Sequence, residues 1–407
     1  MVKACEGGVC AAKGFYAAGV HAGVKASSAP DKKDLMLIYS AEPCNAYGMY
    51  TKNQVKAASV LLTMEHLQNG RAQAVVANSG NANACCDGSM ENARRMCSAA
   101  AAALGVPAED VAVGSTGVIG QTINIEAIEQ AIPGAAAQLS REGSDGAAHA
   151  IMTTDTVKKE GAVAVTIGGK TVTIGGISKG SGMIHPNMGT MLCFLTTDCA
   201  ISGELVKEAL REAVRVSFNR ISVDGDTSTN DTCVLLANGM AGNEGIRTHG
   251  AEYRCFVEAL TELCIQLARR MAKDGEGAKH LITCTVSGAR SEAAAETVAK
   301  SVIASSLTKA AIFGCDANWG RVLCAMGYSG EAFDPDSVDV TFASRAGEIP
   351  VCRAGRGLAF DEDLAKKILS EDEVAIEISM GRGAGACTCW GCDLTYDYVQ
   401  INGDYRT

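Results

Sequence analysis

Apolar and polar positions follow two periods along the chain, and the switch between them marks its elements. The runs Ala72 to Ala77 (AQAVVA) and Val111 to Val113 read as strands, and the Ala-rich stretch Glu91 to Leu104 between them as a helix. AVAVTI and KTVTIG alternate with period two and are divided by Gly168-Gly169, the pattern of a tight β-hairpin. Helical periodicity returns over Glu204 to Phe218 and Glu252 to Lys273, where Phe256, Leu260, Leu263, Leu267 and Met271 make one apolar stripe. Further on, HLITCTV, DVTFAS and VAIEIS read as strands, with a helix around Glu292 to Ser306. Strands that alternate with helices predict mixed α/β layers.

Length changes this picture by asking for a second core. At 407 residues the chain exceeds the size at which one core stops growing, so two domains are expected. No repeat, charge run or proline-rich linker marks the boundary. The net charge of −10 and the lack of a basic block exclude nucleic acid and anionic membranes as partners. No apolar run is long enough to span a bilayer, and the N-terminus reads as neither secretory signal nor transit peptide, so a cytoplasmic location is expected.

Eighteen cysteines stand out, most of them single within apolar segments, where a reduced thiol behaves as a small hydrophobe. Cys387, Cys389 and Cys392 (ACTCWGC) form a cluster, but a fourth ligand at paired spacing is missing, and no metal is expected. No glycine-rich phosphate loop leading into GK[ST] occurs. DGDTSTND (224–231) lacks the sixth-position glycine and the distal glutamate of a calcium loop and reads as an Asx-rich turn.

The segment with most chemical content is SKGSGMIHPNMGTMLCFLTTD (178–198), a permissive loop ending in Gly189-Thr190 just before an apolar strand-like run. A threonine hydroxyl so placed can attack the carbonyl of the residue before it. Hydrolysis of the resulting ester would leave Thr190 with a free α-amine, whose ordinary pKa of about 7.7–8.0 suits it to deprotonate its own hydroxyl. His185, five residues upstream, is then not needed as a base. An ordinary strand threonine remains the competing reading of spacing alone.

KGSGMIHPNMGTML, NSGNANAC (78–85), STGVIG (115–120), MTTDT (152–156), DGDTSTNDT (224–232), DANWGR (316–321) and the terminal YVQINGDYRT, in this order, resemble the ornithine acetyltransferases, also called bifunctional glutamate N-acetyltransferases. The resemblance runs over essentially the whole chain. It implies a layered α-β-β-α sandwich like that of DmpA and the ornithine acetyltransferases, with a second, smaller α/β domain at roughly 240–370. It also implies a precursor that cuts itself between Gly189 and Thr190 into an α chain (1–189) and a β chain (190–407) that stay associated, as an α2β2 assembly. The family's junction is usually Ala-Thr. Glycine here leaves the acyl shift unhindered, and processing is expected to persist.

Carried onto this sequence, the resemblance makes Thr190 the nucleophile that takes acetyl from N2-acetylornithine and passes it to glutamate. Thr116 and Gly117 match the oxyanion-hole pair. Thr153, Lys179, Glu276, Asn402 and Thr407 match substrate-contacting positions: Lys179 suits a substrate carboxylate and Glu276 the side-chain ammonium of ornithine. No cofactor is implied. Use of acetyl-CoA as a second acetyl donor stays open, since both subtypes share the nucleophile. Two other readings stay open as well: an N-terminal-nucleophile amidohydrolase or aminopeptidase with water as acceptor, and a metal- or redox-responsive protein built on the C-terminal cysteines.

Overall fold

The structure is a computed structural model and describes residues 2–25, 29, 31–185 and 191–404. Two sheets organise it. The first has nine strands: β1 (Lys3–Cys5), β2 (Phe15–Val20), β3 (Leu35–Tyr50), β4 (Arg71–Asn78), β5 (Val111–Ser115), β6 (Lys159–Ile167), β7 (Lys170–Lys179), β8 (Leu192–Thr197) and β10 (Thr232–Ala237). Their order is β1-β6-β7-β8-β10-β3-β4-β5, with β2 also paired to β3. β9 (Ile221–Ser222) belongs to the second sheet.

The long β3 lets this sheet fold over on itself. Residues alternate between its faces, so Met36 and Ile38 join Leu192, Phe194, Val234 and Leu236 in an inner core, while Leu35 and Leu37 point the other way. Strands β5 and β8 are far apart in the sheet order, yet a Cβ added at Gly114 would meet the Phe194 ring at 3.1 Å, so the two halves lie face to face. Helices α1 (Ala58–His66), α2 (Ser89–Leu104) and α3 (Ile125–Ala137) cover one outer face, with α4 (Ser144–Ala150) against the inner core. Helices α5 (Gly203–Arg215) and α6 (Ala251–Lys273) cover the other outer face, against Cys193, Leu195, Cys233 and Leu235. The result is the expected α-β-β-α sandwich. The hairpin forms at Gly168 and Gly169, both with positive φ (+55° and +75°), and pairs Ile167 with Lys170.

The second sheet has the order β14-β13-β12-β15-β11-β16-β9. Its strands are β9, β11 (Leu281–Ala289), β12 (Asp339–Ser344), β13 (Gly347–Arg353), β14 (Arg356–Gly357), β15 (Glu373–Ser379) and β16 (Gly385–Cys392). Helices α7 (Glu292–Ala304), α8 (Ser306–Phe313), α9 (Trp319–Gly327) and α10 (Glu362–Leu369) pack on it around a separate core. Its edges differ from the 240–370 expected. Helix α6 lies in the sandwich because its apolar stripe, Phe256 to Met271, is buried against that sheet, and β15 and β16 extend the smaller body to Cys392. The chain closes with α11 (Tyr396–Asp404).

All eighteen cysteines are free. Cys387 and Cys389 sit side by side on β16 with sulfurs 3.9 Å apart, packed into the second core. Among the described residues no helix is long and apolar enough to cross a membrane.

Candidate active site

The strands of the sandwich converge at one end on a small cavity of about 120 Å³. Register brings three of them level there. Leu192, the first residue of β8, pairs with Lys179 at the end of β7 and with Thr232 at the start of β10. Met191 and Leu192 both line the cavity, and Thr232 N–H donates to Met191 O at 2.8 Å. Gly189 and Thr190, the two residues before Met191, lie outside the described residues, as does Thr407.

The turn after β5 faces this strand end across the sandwich and supplies Thr116 and Gly117 to the cavity wall. Gly117 has φ +135°, and a Cβ there would lie 2.4 Å from the Gly80 carbonyl carbon, so only glycine fits. The turn is pinned from both sides: Thr116 N–H donates to Asn78 O at 3.0 Å, and Asn230 Nδ2 donates to Ser115 O at 2.8 Å and Ala82 O at 2.6 Å. This explains the asparagines of NSGNANAC, which hold the loop beneath the turn. Asn78 Nδ2, for example, donates to Asn81 O at 2.9 Å.

Lys179 lies 5% exposed, and its Nζ donates to Thr116 Oγ1 at 3.3 Å and stands 3.8 Å from Asp155 Oδ2. With its oxygen accepting from Lys179, the Thr116 hydroxyl keeps its own proton to give to a ligand. Burial pushes the Lys179 pKa down, and Asp155 is the main opposing influence. Asp155 in turn accepts from Gly180 N–H at 2.7 Å and Thr153 N–H at 3.1 Å. Behind it Lys159, 1% exposed, bridges Asp155 Oδ1 at 2.6 Å and Asp274 Oδ2 at 2.5 Å. This buried charge chain fastens together the three segments that carry Thr153, Lys179 and Glu276.

Glu276 follows Asp274 in the turn after α6, and its backbone N–H donates to Ser181 O at 3.1 Å. Asn402 reaches it from the chain end, donating from Nδ2 to Glu276 Oε2 at 2.7 Å. A terminal helix would ordinarily fray. Here Thr395 Oγ1 donates to Gly277 O at 2.8 Å and Tyr396 stacks edge-on against Phe313 at 5.4 Å, which seats α11 on that turn.

Of the nine residues singled out from the sequence, Thr116, Gly117, Thr153, Lys179, Glu276 and Asn402 all line this one cavity. Sequence reasoning missed Asp155, Lys159 and Asp274, and also Asp231, a buried acid in the cavity wall. The only signal was a charge abutting an apolar run, as in NDTCVLLA. His185 is occupied by Ser222, Nδ1 to Oγ 3.0 Å.

The sequence matches the ArgJ family over residues 16–407. The chain belongs to the ArgJ family. The arginine biosynthesis bifunctional protein ArgJ of Symbiobacterium thermophilum is 53% identical over 402 residues, covering 98% of this chain and 99% of that one. The protein of the same name from Caldanaerobacter subterraneus subsp. tengcongensis is 50% identical over 396 residues, covering 97% of each. Among solved structures, ArgJ from Bacillus halodurans is 42% identical, with a TM-score of 0.50, and the match covers 52% of this chain and 98% of that chain.

Proposed function

We propose that this ArgJ-family chain is a glutamate N-acetyltransferase that moves acetyl from N2-acetylornithine to glutamate through an ester on Thr190. The observation that carries the reading is the cavity beside Met191, the residue that follows Thr190 in sequence, which gathers a Thr-Gly turn, a buried cation and a carboxylate. The Thr190 hydroxyl attacks the acetyl carbonyl, with the α-amine of the same residue taking its proton. Thr116 O–H and Gly117 N–H face the oxygen that becomes negative in the tetrahedral intermediate. Lys179 takes a substrate carboxylate, and Glu276, held by Asn402, takes the ornithine ammonium, with Thr153 and Thr407 completing the contacts. Ornithine leaves, and the glutamate amine resolves the ester to N-acetylglutamate.

The free α-amine requires a cut at Gly189-Thr190, into products of 189 and 218 residues. The Bacillus halodurans match supports it: nearly all of that chain aligns, yet it spans only about half of this one, close to the share of a single product. We read the products as an αβ unit that pairs into α2β2, with no cofactor, in the reducing cytoplasm where eighteen thiols stay free.

Intact-mass analysis of the purified protein, with an acetyl-transfer assay, tests this. Two chains are expected, together with ornithine release that depends on glutamate. Thr190→Ala should neither cut nor transfer. A single 42.0 kDa chain with full activity would overturn the reading, and ornithine release without glutamate would make the enzyme a hydrolase. Acetyl-CoA as alternative donor in the same assay decides whether the chain is bifunctional.

A further inference from the structure

Asp231 is a buried acid to which the mechanism above gives no work. Its backbone is fixed: Asp231 O accepts from Thr51 N–H at 3.0 Å, and the next residue, Thr232, is bonded to Met191 O. The side chain therefore stands beside Met191, at the point where β8 begins. The residue is 2% exposed and lines the cavity together with Lys179 and Glu276. Neither carboxyl oxygen has a hydrogen-bond partner of good geometry among the described residues, although Met191 N–H and the hydroxyls of Thr51 and Ser228 lie near enough to ease its burial. Burying an unpaired carboxylate is costly, and the group responds by staying protonated. Burial accordingly pushes the Asp231 pKa well above the ordinary carboxylate range, against the smaller opposing pull of Met191 N–H, Thr51 and Lys179.

Acetyl transfer between two amines needs an acid at the amide nitrogen that leaves and a base at the amine that attacks. The Thr190 α-amine can relay its own hydroxyl's proton, and Asp231, unpaired in the wall of the same cavity, is a second group able to hold and give one. We propose that Asp231 is the general acid and base for the α-nitrogen of both substrates, a reading that rests on Thr190 carrying the acetyl group. In the first half, the ester C–O bond forms and the C–N bond of acetylornithine breaks. The Asp231 carboxylic acid gives its proton to the departing nitrogen, while the α-amine holds the hydroxyl proton. In the second half, the glutamate nitrogen forms the new C–N bond and the ester C–O bond breaks. The Asp231 carboxylate takes the proton from the attacking nitrogen, and the α-ammonium returns its proton to Oγ. The freed ornithine amine takes one proton from solvent and the incoming glutamate ammonium gives one up, so the cycle balances without a co-reactant.

Asp231→Asn keeps the shape and removes the proton. Positioned acid-base groups contribute about 10²–10⁴-fold, so turnover of N-acetylornithine with glutamate should fall at least about 100-fold, with KM for both substrates within about threefold. p-Nitrophenyl acetate is the deciding probe, because p-nitrophenolate leaves without a proton. Its burst on Asp231→Asn should stay within about threefold of wild type. Asp231→Ala should recover acetylornithine turnover when formate is added. Equal loss of burst and turnover, retained turnover, or no formate rescue would overturn the proposal. So would a folded but uncut Asp231→Asn, which would put the acid in processing. Failure of the Thr190 reading looks different: wild type itself would then show no acetyl group on a chain beginning at Thr190.

Discussion

Lys179 Nζ donates to Thr116 Oγ1 at 3.3 Å, so the cation that suits a substrate carboxylate also orients the hydroxyl proposed for the oxyanion. The two residues should therefore be coupled. Thr116→Val removes one of the two proposed oxyanion donors and should lower kcat about 10²–10³-fold with little change in KM. Lys179→Met should raise KM for glutamate and lower kcat as well. The double variant should lose less than the product of the two, a shortfall that a double-mutant cycle of steady-state rates measures.

The Asn402 to Glu276 contact, at 2.7 Å, gives a prediction that separates the two substrates. Glu276→Gln removes the charge proposed to meet ornithine's ammonium, while glutamate carries none in that place. Hydrogen bonds to charged groups are worth about 1.5–3 kcal/mol, so KM for N-acetylornithine should rise roughly 10- to 100-fold and KM for glutamate far less. Asn402→Ala should show the same selectivity in weaker form, because it removes only the orientation of the carboxylate.

Lys159 does not line the cavity, yet its loss should be severe. Its Nζ bridges Asp155 and Asp274, and a neutral residue there leaves two buried carboxylates without their cation. Breaking such a pair costs about 3–5 kcal/mol, so Lys159→Met should lower the urea midpoint by that equivalent without changing the m-value. Asp155→Asn keeps an acceptor for only one of the two backbone donors, Gly180 N–H on Oδ1 or Thr153 N–H on Oδ2, but leaves Lys159 its Asp274 partner and should be the milder change.

What the sequence discloses and what it hides follow from the range of the interactions. The strand over 72–77, the helices around 91–104 and 252–273 and the hairpin at 168–169 are local patterns, and they appear as β4, α2, α6 and the β6–β7 turn. β3 gives no such pattern, because Leu35 to Ile38 are buried on both faces of a sheet folded over itself, and period two vanishes when both faces are apolar. Site residues that match a motif were legible as types. The buried charge chain was not, because Lys159 and Asp274 are 115 residues apart and only tertiary packing makes them partners. The same holds for Asp231, whose meaning comes from the oxygens it leaves unpaired.

Gly117 supplies a prediction of geometry. Its φ of +135° and the 2.4 Å approach to Gly80 leave no room for a methyl group. Gly117→Ala should cost roughly 1–3 kcal/mol of stability and turn the proposed N–H donor away from the cavity, so kcat should fall further than the change in Tm accounts for. Calorimetry alongside steady-state kinetics checks both parts.

Two acids near the site titrate in opposite senses, which fixes a pH dependence of stability. Burial alone would raise Asp155, but Lys179, Lys159 and the Gly180 N–H outweigh it and hold the carboxyl at about 2. The unfolded value is about 3.9, so Asp155 stabilises the fold above that pH, and the contribution, on the order of 2 kcal/mol, is lost as pH falls through about 2. Asp224, which accepts from Ile184 N–H at 2.8 Å, is instead raised to about 6, chiefly by burial. Its folded value lies above the unfolded one, so it favours the folded state at pH 4 and progressively loses that advantage as pH rises through about 6. Asp224→Asn should therefore gain stability relative to wild type between pH 4 and pH 7, while Asp155→Asn should lose most at pH 5 and draw level toward pH 2. Urea unfolding of both variants across pH 2–8 measures the two slopes, and slopes of the same sign would contradict this assignment of the charges.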